Sequence, residues 1–133
     1  MIMRVTEEEL EFEDDALIYN GGLFTGVVFS TYSNGTLREE HSYVNGFLEG
    51  KCKEWHENGQ LSKEWTQCSG NNSMLISQWY ENSTCKSRGT YEHGVELNYI
   101  EWDKNGHLIE ERELEVGSNL HQYLEKMRKL SAR

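Results

Sequence analysis

The sequence predicts a mainly β protein, an elongated antiparallel β-meander of hairpin repeats with a period of about 24 residues, followed by a C-terminal α-helix. Three observations support this prediction. Glycine recurs at a nearly fixed interval, asparagine precedes the second turn position of each unit, and large apolar residues stand at fixed offsets from that turn. The chain also contains no proline, which suits interior strands because proline cannot donate to the ladder.

Two series of turn residues mark the repeat. The first series is Gly22, Gly46, Gly70, Gly94 and Gly117, and the second is Gly35, Gly59, Ser83 and Gly106. The asparagines before the second series are Asn34, Asn58, Asn82 and Asn105. Asn58-Gly59 favours a two-residue type I′ hairpin turn, which needs positive φ at both central residues. Two turns in each unit leave room for two short strands and no helix, so the strands are expected to run up and down.

The apolar residues beside these turns are the predicted repeat core. They are Trp55, Trp79 and Trp102 before the turn, and Leu37, Leu61 and Leu108 after it. Because side chains alternate along a strand, the residues after the tryptophans fall on the opposite face. That row comprises Tyr32, His56, Tyr80 and Asp103, flanked by Glu54, Gln78 and Glu101. We interpret it as the candidate partner-binding surface, although cross-strand packing would also explain it.

Three segments divide the predicted single domain. Residues 1–16 form an acidic lead-in, with a strand expected around Phe12 and solvated residues from Glu7 to Asp15; mimicry of a phosphate backbone is the less favoured interpretation. Residues 17–117 contain four hairpin repeats. Residues 118–133 show helical spacing of Leu120, Tyr123, Leu124, Met127 and Leu130, with Ser118 or Asn119 as the N-cap. We expect this helix to cover the last strand, the alternative being that it enters a partner's groove.

The formal net charge of −10 is unevenly distributed along the chain. Residues 1–16 carry −6 and residues 118–133 carry +3, which leaves −7 for the middle. Such a field repels nucleic acid and anionic membranes and speeds encounter with a basic protein, although acidity also serves solubility alone. Three cysteines without a close pair (Cys52, Cys68 and Cys85), an acidic N-terminus and no apolar run long enough for a membrane span predict a cytoplasmic protein.

Motifs for catalysis are absent from the sequence. No HExxH, CxxC, GxSxG, P-loop or GxGxxG occurs, and no basic patch with interleaved aromatic residues. The five histidines, including His41, His56 and His93, are scattered without the spacing of a tetrahedral metal site. We therefore expect no enzyme, no cofactor and no metal.

Residues 14–117 resemble the MORN-repeat variant in the pattern aromatic-x-x-Asn-Gly-x-Leu-x-x-Glu followed by Tyr-x-x-Gly-x-x-x-Gly. More narrowly, the block from Asp14 to Gly26 resembles the opening of YwqK-type antitoxin proteins, and Glu101 to Glu110 resembles their last repeat. The third unit departs, since Asn71 to Ser77 lacks the second glycine and Asn82-Ser83 replaces Asn-Gly.

This resemblance implies a bacterial antitoxin or immunity protein. Its partner would be a cognate toxin, which the charge suggests is basic and of nuclease or deaminase type, blocked by occlusion of its active site. The alternative is a MORN-like scaffold module without a toxin partner. Neither interpretation involves direct contact with nucleic acid or a membrane, and the oligomeric state stays open.

Overall fold

A computed structural model describes residues 2–68 and 73–132. It contains two sheets and one α-helix, and the strands run in a long antiparallel meander, so the predicted fold class is confirmed. The elements are β1 (Arg4–Val5), a 3₁₀ turn (Glu7–Glu9), β2 (Glu11–Glu13), β3 (Ala16–Tyr19), β4 (Gly22–Leu23), β5 (Gly26–Thr31), β6 (Leu37–Val44), β7 (Phe47–Trp55), β8 (Leu61–Gln67), β9 (Ser73–Trp79), β10 (Cys85–Glu92), β11 (Val95–Trp102), β12 (Leu108–Glu113) and α1 (Asn119–Ser131).

The main sheet has nine strands in the order β1-β5-β6-β7-β8-β9-β10-β11-β12. From β5 to β12 each described strand pairs antiparallel with the next strand in the chain. Strand β1 is different, because it pairs with β5 in parallel. Its backbone approaches β5 at Gly26, where a Cβ atom would collide with the carbonyl oxygen of Met3. A small second sheet, β2-β3-β4, completes the N-terminal end.

Two kinds of turn connect the strands in the described part of the meander. The tight turns have positive φ at both central residues, as at Asn45 (48°) and Gly46 (88°), which defines type I′. The predicted type I′ turn at Asn58-Gly59 is wrong, because only Gly59 has positive φ there. The Gly59 amide donates to His56 O and the His56 amide donates to Gln60 O, which is a type I turn followed by a left-handed residue and a bulge.

The bulged turn recurs once in every repeat. The strand register shifts beside it at four equivalent places: Ser30/Thr31, Glu54/Trp55, Cys85/Ser87 and Glu101/Trp102. A bulge adds one residue to one strand and increases the local twist. The two turn types therefore set the antiparallel strand pairing wherever the turn lies among the described residues.

Gly22 is not a turn residue, because the positive-φ pair is Asn20-Gly21 and Gly22 begins β4. The spacing from Gly46 misplaced the first turn by one residue, since the units are not all of one length. Gly70 lies outside the described residues.

The cluster of buried apolar residues lies at the N-terminal end of the sheet, while Val95 and Leu124 are buried near the C-terminal helix. The cluster comprises Val5, Leu17, Phe24 and Val28, with Leu10, Tyr19 and Tyr43 packed against it. This core forms because the small sheet and the 3₁₀ turn fold over the first strands of the meander. The lead-in is therefore more than a solvated tail, although Glu7–Glu9 and residues 11–15 are exposed as expected.

The predicted repeat core is only partly buried. Trp55, Trp79 and Trp102 are half-buried, as are Leu37 and Leu61. Leu108 is 55% exposed, so its predicted core position is wrong. The physical reason is that a single-layer sheet has no second layer over the bulged turns where these residues lie.

The C-terminal helix begins at its N-cap Ser118, whose Oγ accepts from the His121 amide. Leu124 is fully buried, whereas Leu120, Tyr123 and Leu130 of the same predicted apolar face are exposed. The helix is held at Glu92, where the Arg128 Nε and Nη2 atoms donate to the two carboxylate oxygens over 2.6 and 3.0 Å. It does not cover the last strand, because every residue of β12 is exposed.

Candidate functional site

The predicted partner-binding row lies along the bulged turns and joins consecutive repeats. Tyr32 Oη donates to Trp55 O over 2.6 Å, and Tyr80 Oη donates to Trp102 O over 2.8 Å. His56 Nε2 lies 2.7 Å from Trp79 O, and because a carbonyl only accepts, this nitrogen carries the hydrogen. One polar atom of each of these three side chains is thus used within the sheet, while the rings stay half-buried at its surface.

A second series of hydrogen bonds runs beside the first. Each turn asparagine donates through Nδ2 to a carbonyl of the following turn: Asn34 to Glu57 O, Asn58 to Glu81 O and Asn82 to Lys104 O. Each also accepts a backbone amide from its own turn through Oδ1, at 2.9 to 3.0 Å. Sequence reasoning missed this inter-turn role, although the repeated asparagine was its signal. The two series link each bulged turn to the next along the turn edge of the sheet.

The last repeat ends both series. Asp103 stands where Tyr32, His56 and Tyr80 stand, and its Oδ1 accepts from the Asn105 and His107 amides within its own turn. These bonds lower the pKa of Asp103, with the His107 amide as the main cause. Glu101 is equally occupied locally, since it accepts from Tyr99 Oη over 2.7 Å. The pKa of Tyr99 is raised, chiefly by burial and also by this carboxylate.

Four residues of the predicted row meet in one shallow cleft of about 340 Å³. They are Glu54, His56, Gln78 and Tyr80. Tyr32, Glu101 and Asp103 lie outside it. The remaining lining comes from Ser62, Lys63, Trp79, Glu81, Lys86 and Lys104.

The cleft is not the acidic face that the charge predicted. Its lining contains three lysines and two carboxylates: Lys63, Lys86, Lys104, Glu54 and Glu81. The ammonium groups of Lys86 and Lys104 lie 5.8 and 6.0 Å from the centre of the Tyr80 ring. The arrangement offers aromatic surface, an amide and charges of both signs, which suits protein contact.

Besides the acidic lead-in, the C-terminal edge of the sheet is also acidic. Strand β12 carries Glu110, Glu111 and Glu113, all exposed. Arg112 is bound by Glu96 and Glu110 and lies 4.2 Å from the centre of the Tyr99 ring. Among the described strands β12 pairs only with β11, so its outer backbone groups form an open edge.

One group of side chains in the described part of the chain has the composition of a metal site. Glu39, His41 and Glu54 each offer a ligand atom, and these atoms lie within 4.8 Å of one another. The three cysteines are unpaired, and burial raises the pKa of the Cys52 thiol. No described helix is long and apolar enough to cross a membrane.

Comparison with known proteins supports the repeat. The model of the MORN repeat variant matches residues 24–45 and 48–67, which contain β5–β6 and most of β7–β8. No curated protein and no solved structure matches the chain significantly. The matched segments are two adjacent hairpins of the meander, and a MORN repeat indicates a repeat-based protein-interaction module.

Proposed function

We propose that the protein is a cytoplasmic antitoxin or immunity protein. It would bind a basic toxin of nuclease or deaminase type and occlude its active site, without catalysing a reaction. The observation that carries this proposal is the hydrogen-bonded turn edge, where Tyr32, His56 and Tyr80 are each bonded to the following repeat. Side chains fixed before binding lose little conformational entropy in the complex, which favours tight inhibition.

Net charge supports the choice of partner. The chain carries −10, so a basic protein approaches faster than a neutral one. Net charge therefore bears on the rate of association. Because the cleft contains three lysines as well as carboxylates, the contact surface of the partner must carry charges of both signs. The resemblance to YwqK-type antitoxins supplies the class of partner.

The first experiment is affinity capture from the source cells at moderate salt, followed by co-expression of the captured protein. A single stoichiometric basic protein that arrests growth alone, and not together with this chain, would establish inhibition. Several unrelated partners, or none besides the chain itself, would contradict it.

The contact face can then be located with two matched variants. Gln78 and Ser77 are neighbours on β9, so their side chains point to opposite faces, and only Gln78 lines the cleft. We expect Gln78→Arg to weaken toxin binding at least tenfold, which is roughly 1.4 kcal/mol, because the arginine fills the cleft. Ser77→Arg adds the same charge on the other face and should leave binding unchanged. The reverse result would move the interface to the opposite face.

Steering by charge has its own test. The association rate should fall as ionic strength rises from low salt to about 0.15 M, where the screening length is about 8 Å. The dissociation rate should change much less. An association rate independent of salt would remove the charge argument and leave the interface intact.

The open β12 edge favours a second candidate, a scaffold module that joins other proteins by strand addition. This function predicts self-association or several partners that compete for β12. Light scattering separates the two candidates, because an inhibitor forms a complex of fixed stoichiometry with one toxin.

A further inference from the structure

Strand pairing brings Glu39, His41 and Glu54 together on one face of the sheet. Glu39 and His41 are two residues apart on β6, and Glu54 lies directly opposite Glu39 on β7. The three side chains are about one quarter to one third exposed, which makes the group accessible from solvent while shielding it from bulk water. Sequence spacing does not reveal the set, because a turn separates its two strands.

The imidazole of His41 has an unused nitrogen within this group. Nε2 is buried and has no hydrogen-bond partner. The Oε2 atom of Glu54 is 3.8 Å away, which is too long for a hydrogen bond. A buried polar atom without a partner is costly, so this nitrogen is suited to a ligand placed between it and the carboxylates.

We propose that Glu39, His41 and Glu54 bind a divalent transition-metal ion of the Zn²⁺ type. Such an ion binds imidazole nitrogen and carboxylate oxygen at about 2.0–2.2 Å, so its ligand atoms lie about 3.3–3.6 Å apart in a tetrahedral site. The three ligand atoms lie within 4.8 Å of one another, so side-chain rotations that bring them closer by about 1 Å would complete the site. Three protein ligands leave one tetrahedral position to water. Imidazole in the set favours Zn²⁺ over Ca²⁺ and Mg²⁺, which prefer oxygen ligands.

Three neighbouring side chains could compete with a metal ion for these ligands, but each makes another contact. Lys63 is opposite Glu54 on β8, but its ammonium lies 4.9 Å from the centre of the Trp65 ring. The Nη2 atom of Arg38 lies 3.9 Å from Glu39 Oε1, and its Nε donates a hydrogen bond to Ser30 Oγ. Cys52 is opposite His41, but its thiol contacts Gly50 O at 3.8 Å.

Titration of the full chain with ZnCl₂ in a calorimeter tests the site. We expect one ion per chain, and at least tenfold weaker binding in each of Glu39→Gln, His41→Ala and Glu54→Gln. The matched control is His107→Ala, which removes a histidine that pairs with a single carboxylate, Asp103, and should retain the affinity. Circular dichroism confirms that each variant is folded. Unchanged binding in the folded ligand variants, or no binding to the wild type, would overturn the proposal.

Trp65 provides a second readout, because its ring centre is 5.4 Å from that of His41. Ni²⁺, a paramagnetic ion that imidazole also binds, should quench tryptophan fluorescence, and excess Zn²⁺ should reverse the quenching. In Trp65→Phe the calorimetric affinity should persist while most of the quenching disappears. Equal quenching in that variant would place the ion elsewhere and contradict the assignment.

Discussion

Ser83 occupies the left-handed position that glycine holds in the other bulged turns. Its φ is 70°, against 89° at Gly59. A left-handed conformation costs a residue with a Cβ roughly 1–2 kcal/mol, whereas glycine adopts it freely and loses more backbone entropy on folding. We expect Ser83→Gly to stabilise the protein by roughly 0.5–1 kcal/mol, measured as a higher urea midpoint. The gain is reduced by loss of the bond from Ser83 Oγ to Gln60 Oε1.

The matched control for this variant is Gly59→Ser in the preceding repeat. A Cβ there meets nothing within 4 Å, so any effect comes from the backbone alone. The midpoint should fall by a similar amount. A neutral result in both variants would show that these turns tolerate either residue without strain.

The Asn-Gly dipeptides predicted the positions of the turns correctly but not their types. Asn45-Gly46 and Asn58-Gly59 are the same dipeptide, yet the first is type I′ and the second is part of a bulged turn. The two dipeptides lie in loops of different length: Asn45-Gly46 alone joins β6 to β7, whereas Asn58-Gly59 lies in the longer loop that the His56 amide closes on Gln60 O. Dipeptide preference is local and does not set the length of the loop.

At the scale of the element, the C-terminal helix is fixed to the sheet by a charge pair. Arg128 donates to both carboxylate oxygens of Glu92, and this hydrogen bonding lowers the pKa of Glu92 from its ordinary value of 4.5. A lowered pKa stabilises the fold fully above the unfolded value, and the contribution is lost as pH falls through the folded value.

The helix attachment should therefore weaken in acid. Glu92→Gln should be less stable than the wild type at pH 7, and the difference should shrink once the pH falls below about 4.5. Melting temperatures of both proteins across this range measure it. Lys129→Ala, a charge change in the same last turn of the helix, should show no such convergence. A difference that persists at low pH would mean that the substitution at Glu92 disturbs packing and not charge.

The helix was predictable as an element but not in its position. Its apolar spacing and N-cap were visible in the sequence, whereas the choice between β12 and the end of β10 depends on which carboxylate Arg128 reaches. Strand β12 consequently keeps an open edge, protected only by its glutamates.

At the scale of the whole molecule, the cluster of buried apolar side chains lies at one end of the sheet. Phe24 is 1% exposed and lies in the cluster with Val5, Leu17 and Val28, whereas the half-buried tryptophans lie along a single layer. The sequence periodicity revealed the repeats and therefore the meander. It could not reveal this core, because the core depends on the pairing of β1 with β5, and β1 lies in the lead-in, outside the repeats.

This asymmetry predicts very different costs for two similar truncations. Phe24→Ala should destabilise the protein by roughly 3–5 kcal/mol, because it removes a buried aromatic ring and leaves a cavity. Leu108→Ala, at a position that the repeat pattern predicted to be in the core, should change stability by less than about 0.5 kcal/mol, since that side chain is 55% exposed. Urea unfolding measures both.

Hydrogen exchange then locates the loss of stability. In Phe24→Ala, strands β3 to β6 should exchange faster while β10 and β11 stay protected, because each repeat depends mainly on its neighbours. Uniform loss of protection along the whole sheet would instead show that the meander unfolds as one cooperative unit.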